Sequence, residues 1–73
     1  MNSITLNNTR YHQQNEMISW CEQHIGKGGW TYYRPKIWEG LDGWIWTVWS
    51  QFDNTTFNFK HSEHLVLFTL RWS

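Results

Sequence analysis

Trp44-Ile45-Trp46-Thr47-Val48-Trp49-Ser50-Gln51-Phe52 is the most β-prone run in the chain, rich in the aromatic and β-branched residues that suit a pleated, half-buried surface. A strand over 44–52 is therefore expected, and its alternation divides the rings. Trp44, Trp46, Val48 and Phe52 fall on one face, while Ile45, Thr47, Trp49 and Gln51 fall on the other. Asp53-Asn54 reads as a turn into Thr55-Thr56-Phe57-Asn58-Phe59-Lys60, whose alternation is clean, so the two runs form a hairpin.

Short chains need such rings. A protein of 73 residues buries only about 60% of the surface its unfolded form exposes, and its core is normally worth about 3–5 kcal/mol. Seven Trp, three Tyr and four Phe offset that, since each ring can bury about 150–250 Å². Cys21 is the one cysteine, so no internal disulfide can form, and a reducing, cytoplasmic compartment is expected. No leader pattern or membrane-length apolar stretch stands in the sequence, so a soluble single domain is expected.

Upstream, Met17, Ile18, Trp20, Cys21 and Ile25 follow the spacing of one helical face. A helix over 15–25 results, with Asn15 as N-cap and Gly26 as the residue that stops it. After the turn Gly26-Lys27-Gly28-Gly29, a strand is expected over Trp30-Thr31-Tyr32-Tyr33-Arg34, closing at Pro35. Lys36 to Gly43 reads as a loop around Ile37, Trp38 and Leu41. Residues 1–11 are either a short edge strand, with Ile4 and Leu6 alternating, or a mobile arm. The closing segment 62–72 is ambiguous: Val66, Phe68, Leu70 and Trp72 alternate as in a strand, while Leu65, Phe68 and Trp72 fit a helical face and Ser62 with Glu63 forms a helix start.

Phe57-Asn58-Phe59-Lys60, then Ser62-Glu63-His64, then Leu67-Phe68-Thr69-Leu70-Arg71-Trp72 resembles the ending of many small uncharacterised proteins of tailed phages and aquatic viral metagenomes. The helix carrying Trp20-Cys21-Glu22 and the Gly-rich turn after it are similar too, so the likeness spans about residues 15–73. It implies a closing helix over 62–72 and a phage origin, and it implies no activity. The expected fold is α+β with two layers: a three-stranded antiparallel sheet, strands near 30–34, 44–52 and 55–60, with both helices on one face, and an optional N-terminal edge strand that would approach a split βαβ arrangement.

Charge narrows the partners. Six basic and six acidic residues cancel, which argues against a polyanion partner, since phosphate binding calls for a basic face; self-association is the easier outcome for a neutral chain. Cys21-x-x-His24 and His61-x-x-His64 are two pairs of zinc-competent side chains, but Cys21 lies on the apolar stripe and the spacing matches no zinc finger, so no metal and no cofactor are expected. Gly26-Lys27-Gly28-Gly29 follows a helix rather than preceding one, so the dipole has the wrong sign for phosphate. No catalytic signature is present, and an enzyme is not expected.

Aromatic recognition is left. If the helices cover one sheet face, the other offers Ile45, Thr47, Trp49 and Gln51, with Tyr33 and Arg34 on the neighbouring strand and Trp38 in the loop. Trp, Tyr and Arg dominate protein–protein hot spots. The expected function is a non-enzymatic protein-interaction module that pairs with itself or with a host protein, away from membranes; single-stranded nucleic acid, stacked on the same rings, is the alternative.

Overall fold

A computed structural model describes residues 2–7, 9–31 and 41–72. Its elements run β1 (Asn2–Leu6), α1 (Tyr11–His24), β2 (Gly28–Trp30), β3 (Trp46–Gln51), β4 (Asn54–Phe59) and α2 (Ser62–Trp72). The fold is α+β, and the four strands form a mixed sheet in the order β1-β4-β3-β2. β1 and β3 flank β4 antiparallel, whereas β2 runs parallel to β3. The expected three-stranded antiparallel sheet is corrected on both counts. A strand does form at the N-terminus, and β1-α1-β2 encloses the β3–β4 hairpin between its two strands, as in a split βαβ unit.

β2 differs most from expectation. It begins at Gly28 rather than at Trp30, in a stretch that reads as a turn. An ideal Cβ on Gly28 would lie 2.2 Å from the Trp46 carbonyl oxygen and 2.4 Å from its indole. Only glycine lets the two strands pair with that ring lying against position 28. The Trp46 indole Nε1–H then donates to the Gly26 carbonyl oxygen at 2.8 Å. Of the expected strand 30–34, Trp30 is paired, and Tyr32, Tyr33 and Arg34 lie outside the described residues, as does Trp38.

α1 starts at Tyr11, four positions before the expected cap, with Arg10 as N-cap. Gln13 explains the difference: its Oε1 accepts the Arg10 backbone N–H at 3.0 Å, supplying the reach-back half of a capping box. Tyr11-His12-Gln13-Gln14 carries no apolar period, so this turn leaves no periodic trace. At the other end Gly26 stops the helix as expected, with φ 142° and its N–H donating to the Cys21 carbonyl at 3.0 Å. α2 covers Ser62–Trp72, the closing helix that the resemblance implies.

Both helices pack on one face of the sheet. Met17 and Cys21 of α1 and Phe68 of α2 join Trp46, Val48, Phe57 and Phe59 in one buried cluster. Register places those strand residues together, because Trp46 faces Phe59 and Val48 faces Phe57. Phe68 is the hub: its ring lies 4.6 Å from Phe57, 5.3 Å from Phe59 and 6.0 Å from Trp20. Trp20 and Trp72 pack against the cluster from its margin. Trp44 does not join it, although alternation puts it on the Trp46 face. It precedes the strand, and its ring lies over the opposite face, where a Cβ on Gly29 would meet it at 3.0 Å.

A hydroxyl network fastens the hairpin tip to the start of α1. The Thr55 hydroxyl, fully buried, meets the Thr9 hydroxyl at 2.6 Å, the Gln14 amide nitrogen at 2.9 Å and the Ser50 hydroxyl at 3.3 Å. The Thr9 N–H also donates to the Asp53 carbonyl at 3.1 Å.

Two substitutions test this frame. Thr55→Val keeps the shape and removes three side-chain hydrogen bonds, so chemical denaturation should show a loss of about 1–3 kcal/mol. Gly28→Ala should cost at least about 2 kcal/mol, because the methyl group meets backbone that cannot yield; unchanged stability would mean that β2 does not pair as described.

Candidate functional site

The face turned away from the helices carries Thr5 of β1, Thr56 and Asn58 of β4, Thr47, Trp49 and Gln51 of β3, and Gly29 of β2, joined by register. Its centre is closed. Thr47 is 1% and Asn58 2% exposed. Ile45 sits just outside β3, its N–H donating to the Lys27 carbonyl and its own carbonyl accepting from Lys60, both at 2.9 Å. Its side chain packs against the core cluster. Ile45, drawn to the core, and Thr47, buried on the face that alternation gives it, are therefore not part of an open surface, which corrects the expectation for both.

Trp49, half-buried, is the ring that this face leaves at its accessible end. It divides two cups. One, of about 310 Å³, is lined by Trp30, Thr31, Trp49 and Ser50. The other, of about 340 Å³, is lined by Thr5, Trp49, Gln51, Phe52, Asn54 and Thr56. Among the described residues no charged side chain lines either cup. The Thr5 and Thr56 hydroxyls on the floor of the larger cup are hydrogen-bonded to each other at 2.9 Å.

Phe52 was not foreseen. The pairing of Gln51 with Asn54 leaves Phe52-Asp53 as the two-residue hairpin loop, one position earlier than the expected Asp53-Asn54 turn. Phe52 takes φ 57°, a left-handed backbone that glycine or asparagine normally supplies. Its ring is 92% exposed. A bulky residue in that conformation costs about 1–3 kcal/mol, and here no burial of the ring offsets it.

α2 presents a second surface. Glu63, Val66, Leu67 and Leu70 recur at the spacing of one helical face, opposite the buried Phe68. Val66 is 57%, Leu67 48% and Leu70 78% exposed. Glu63 lies in the first turn and Arg71 in the last, both exposed. Arg71 also stacks its guanidinium 4.1 Å from the Trp72 ring centre, beside a groove of about 290 Å³ between the helices that Glu16 and Trp20 share.

The zinc-competent residues stay apart. Cys21 is sealed in the core, His24 turns outward with its ring 5.1 Å from Trp20, and the His61 and His64 rings meet edge to face at 5.4 Å. Among the described residues no group of three or more His, Cys, Asp or Glu converges. No helix among them is long and apolar enough to cross a membrane.

Burial pushes the Cys21 thiol from 9.0 up to about 12, with the neighbouring Glu22 carboxylate adding to the effect. Two outcomes follow. Iodoacetamide should leave Cys21 unmodified in the folded protein at neutral pH and label it once the chain unfolds. Stability should also fall above about pH 9, by roughly 1.4 kcal/mol per pH unit, because there the unfolded thiol ionises while the folded one keeps its proton. Cys21→Ala, assayed across the same range by thermal melting, should lose that slope.

No protein-family model, curated protein or solved structure matches the chain.

Proposed function

We propose that the chain is a non-enzymatic interaction module that pairs with a second copy of itself through α2. The observation that carries this reading is the open apolar stripe Val66, Leu67 and Leu70, with an acid at one end of the helix and a base at the other. Glu63 and Arg71 stand roughly 12 Å apart along the axis, with Leu67 midway. An antiparallel two-fold pairing centred on Leu67 sets Leu67 against Leu67 and each Glu63 beside the other copy's Arg71. Such an interface is self-complementary in both apolar contact and charge. A chain of zero net charge has no long-range repulsion to oppose it.

The seam is one helix wide, so the dimer is a reversible one that forms with concentration. Exposed hydrophobic side chains in a contiguous row are otherwise a liability for a small soluble domain. The resemblance to small phage proteins supports a role as an accessory protein in the cytoplasm of an infected bacterium, with a host protein as the other occupant of the same stripe.

Sedimentation velocity over a concentration series tests the pairing. The wild type should move from monomer to dimer, and Leu70→Lys should stay monomeric with an unchanged melting temperature. Glu63→Arg and Arg71→Glu should each weaken the dimer, and the two together should restore it in part. A wild type that is monomeric throughout removes this reading.

A further inference from the structure

We infer that the cup between Trp49 and Phe52 is a binding site for a neutral polyhydroxylated ligand, a saccharide ring stacked on the aromatic side chains at the hairpin end of the sheet. This site lies on the sheet face turned away from the helices and does not depend on pairing through α2.

The lining selects the ligand class. Two rings supply apolar faces, and their π-systems attract the weakly positive C–H face of a sugar ring. The other described residues around them bring hydroxyls and amides: Thr5, Gln51, Asn54 and Thr56. Gln51 and Asn54 each carry both a donor and an acceptor, and both are exposed. In the Thr5–Thr56 pair one hydroxyl donates to the other, so the accepting hydroxyl keeps its own proton for a ligand oxygen. A ligand that both donates and accepts at several points around an apolar face is matched at each point.

Other classes are matched less well. Among the described residues an anion would find no cation in the cup and a cation no carboxylate. Single-stranded nucleic acid could stack on Trp49, but most of its affinity comes from basic residues along the phosphates, and among the described residues neither cup beside Trp49 holds one. Volume agrees with a small ligand, since about 340 Å³ falls at the lower end of ligand pockets. The second cup, across Trp49, would take an adjoining ring of an oligosaccharide.

Phe52 gives the proposal its sharpest feature. A solvent-exposed ring held on a left-handed backbone is explained if the ring is kept for a ligand, as strain of this kind gathers at binding sites. The experiment follows ¹H–¹⁵N spectra of the full chain during titration with cellohexaose, laminarihexaose, maltohexaose and chitohexaose, and separately with oligothymidylate. At least one sugar should shift the Trp49 indole N–H and the Gln51 and Asn54 side-chain amides together. Phe52→Gly, which relieves the backbone, should weaken that sugar by about tenfold while raising the melting temperature. The proposal is overturned if none of the sugars moves those three signals, if Phe52→Gly binds as the wild type does, or if oligothymidylate alone moves them.

Discussion

Trp46 is the residue on which the arrangement depends. Its ring is fully buried between the helices and the sheet, and its position makes several demands at once. The indole needs a partner for its N–H and finds the carbonyl of Gly26, so the end of α1 is tied to the first residue of β3. The same ring occupies the space that a side chain at position 28 would need, which is why β2 can approach β3 only through glycine. The tie sets the start of β2 beside β3, to which it pairs in parallel. With α1 ending beside Trp46, the chain leaves the helix already adjacent to β3 and travelling in its direction.

That dependence also separates what could be read in the sequence from what could not. Gly26 as the helix stop, the body of α1, the β3–β4 hairpin and the two-layer arrangement are all local or periodic, and each was legible. α2 was legible only with the help of a resemblance, because Val66, Phe68, Leu70 and Trp72 alternate as in a strand while Leu65, Phe68 and Trp72 fit a helical face. β2 was hidden because two of its three residues are glycines, which carry no pattern; their meaning lies in the ring opposite, and that contact is non-local. The first turn of α1 was hidden for a related reason: it is held by Gln13 and Gln14, polar residues that periodicity cannot weigh.

Alternation failed at the margins of β3 for a physical reason too. Residues share a face every second position only while the strand runs straight, and β3 begins at Trp46. Ile45 lies just before it, at the junction with α1 and Lys60, and is drawn inward against the core. Trp44, one residue further out, crosses to the face opposite Trp46 and rests on Gly29. Ile45 is thereby lost to the open sheet surface, while Thr47 keeps the face that alternation gives it but is buried there. Trp49, at the far end of the strand, keeps its access, and its neighbours Phe52 and Asn54 come from a turn and a strand start whose exact positions depended on register.

The rings thus divide by position along the strands rather than by face alone. Near the α1 end of the sheet they are consumed by packing: Trp46 by the glycines, Phe57 and Phe59 by Phe68. Near the hairpin end no helix residue of the core cluster reaches them, since Thr55 and its hydroxyl partners fill that part of the inner face with polar contacts. A polar network there holds the hairpin tip in place without needing Phe52 to pack. The left-handed Phe52 can then persist, because β3 and β4 pair on both sides of it up to Gln51 and Asn54, and a two-residue loop closed by such a pair has little freedom to relax. Strain at the tip is therefore sustained by the same ladder that the buried aromatic cluster stabilises, which links the accessible ring to the buried ones.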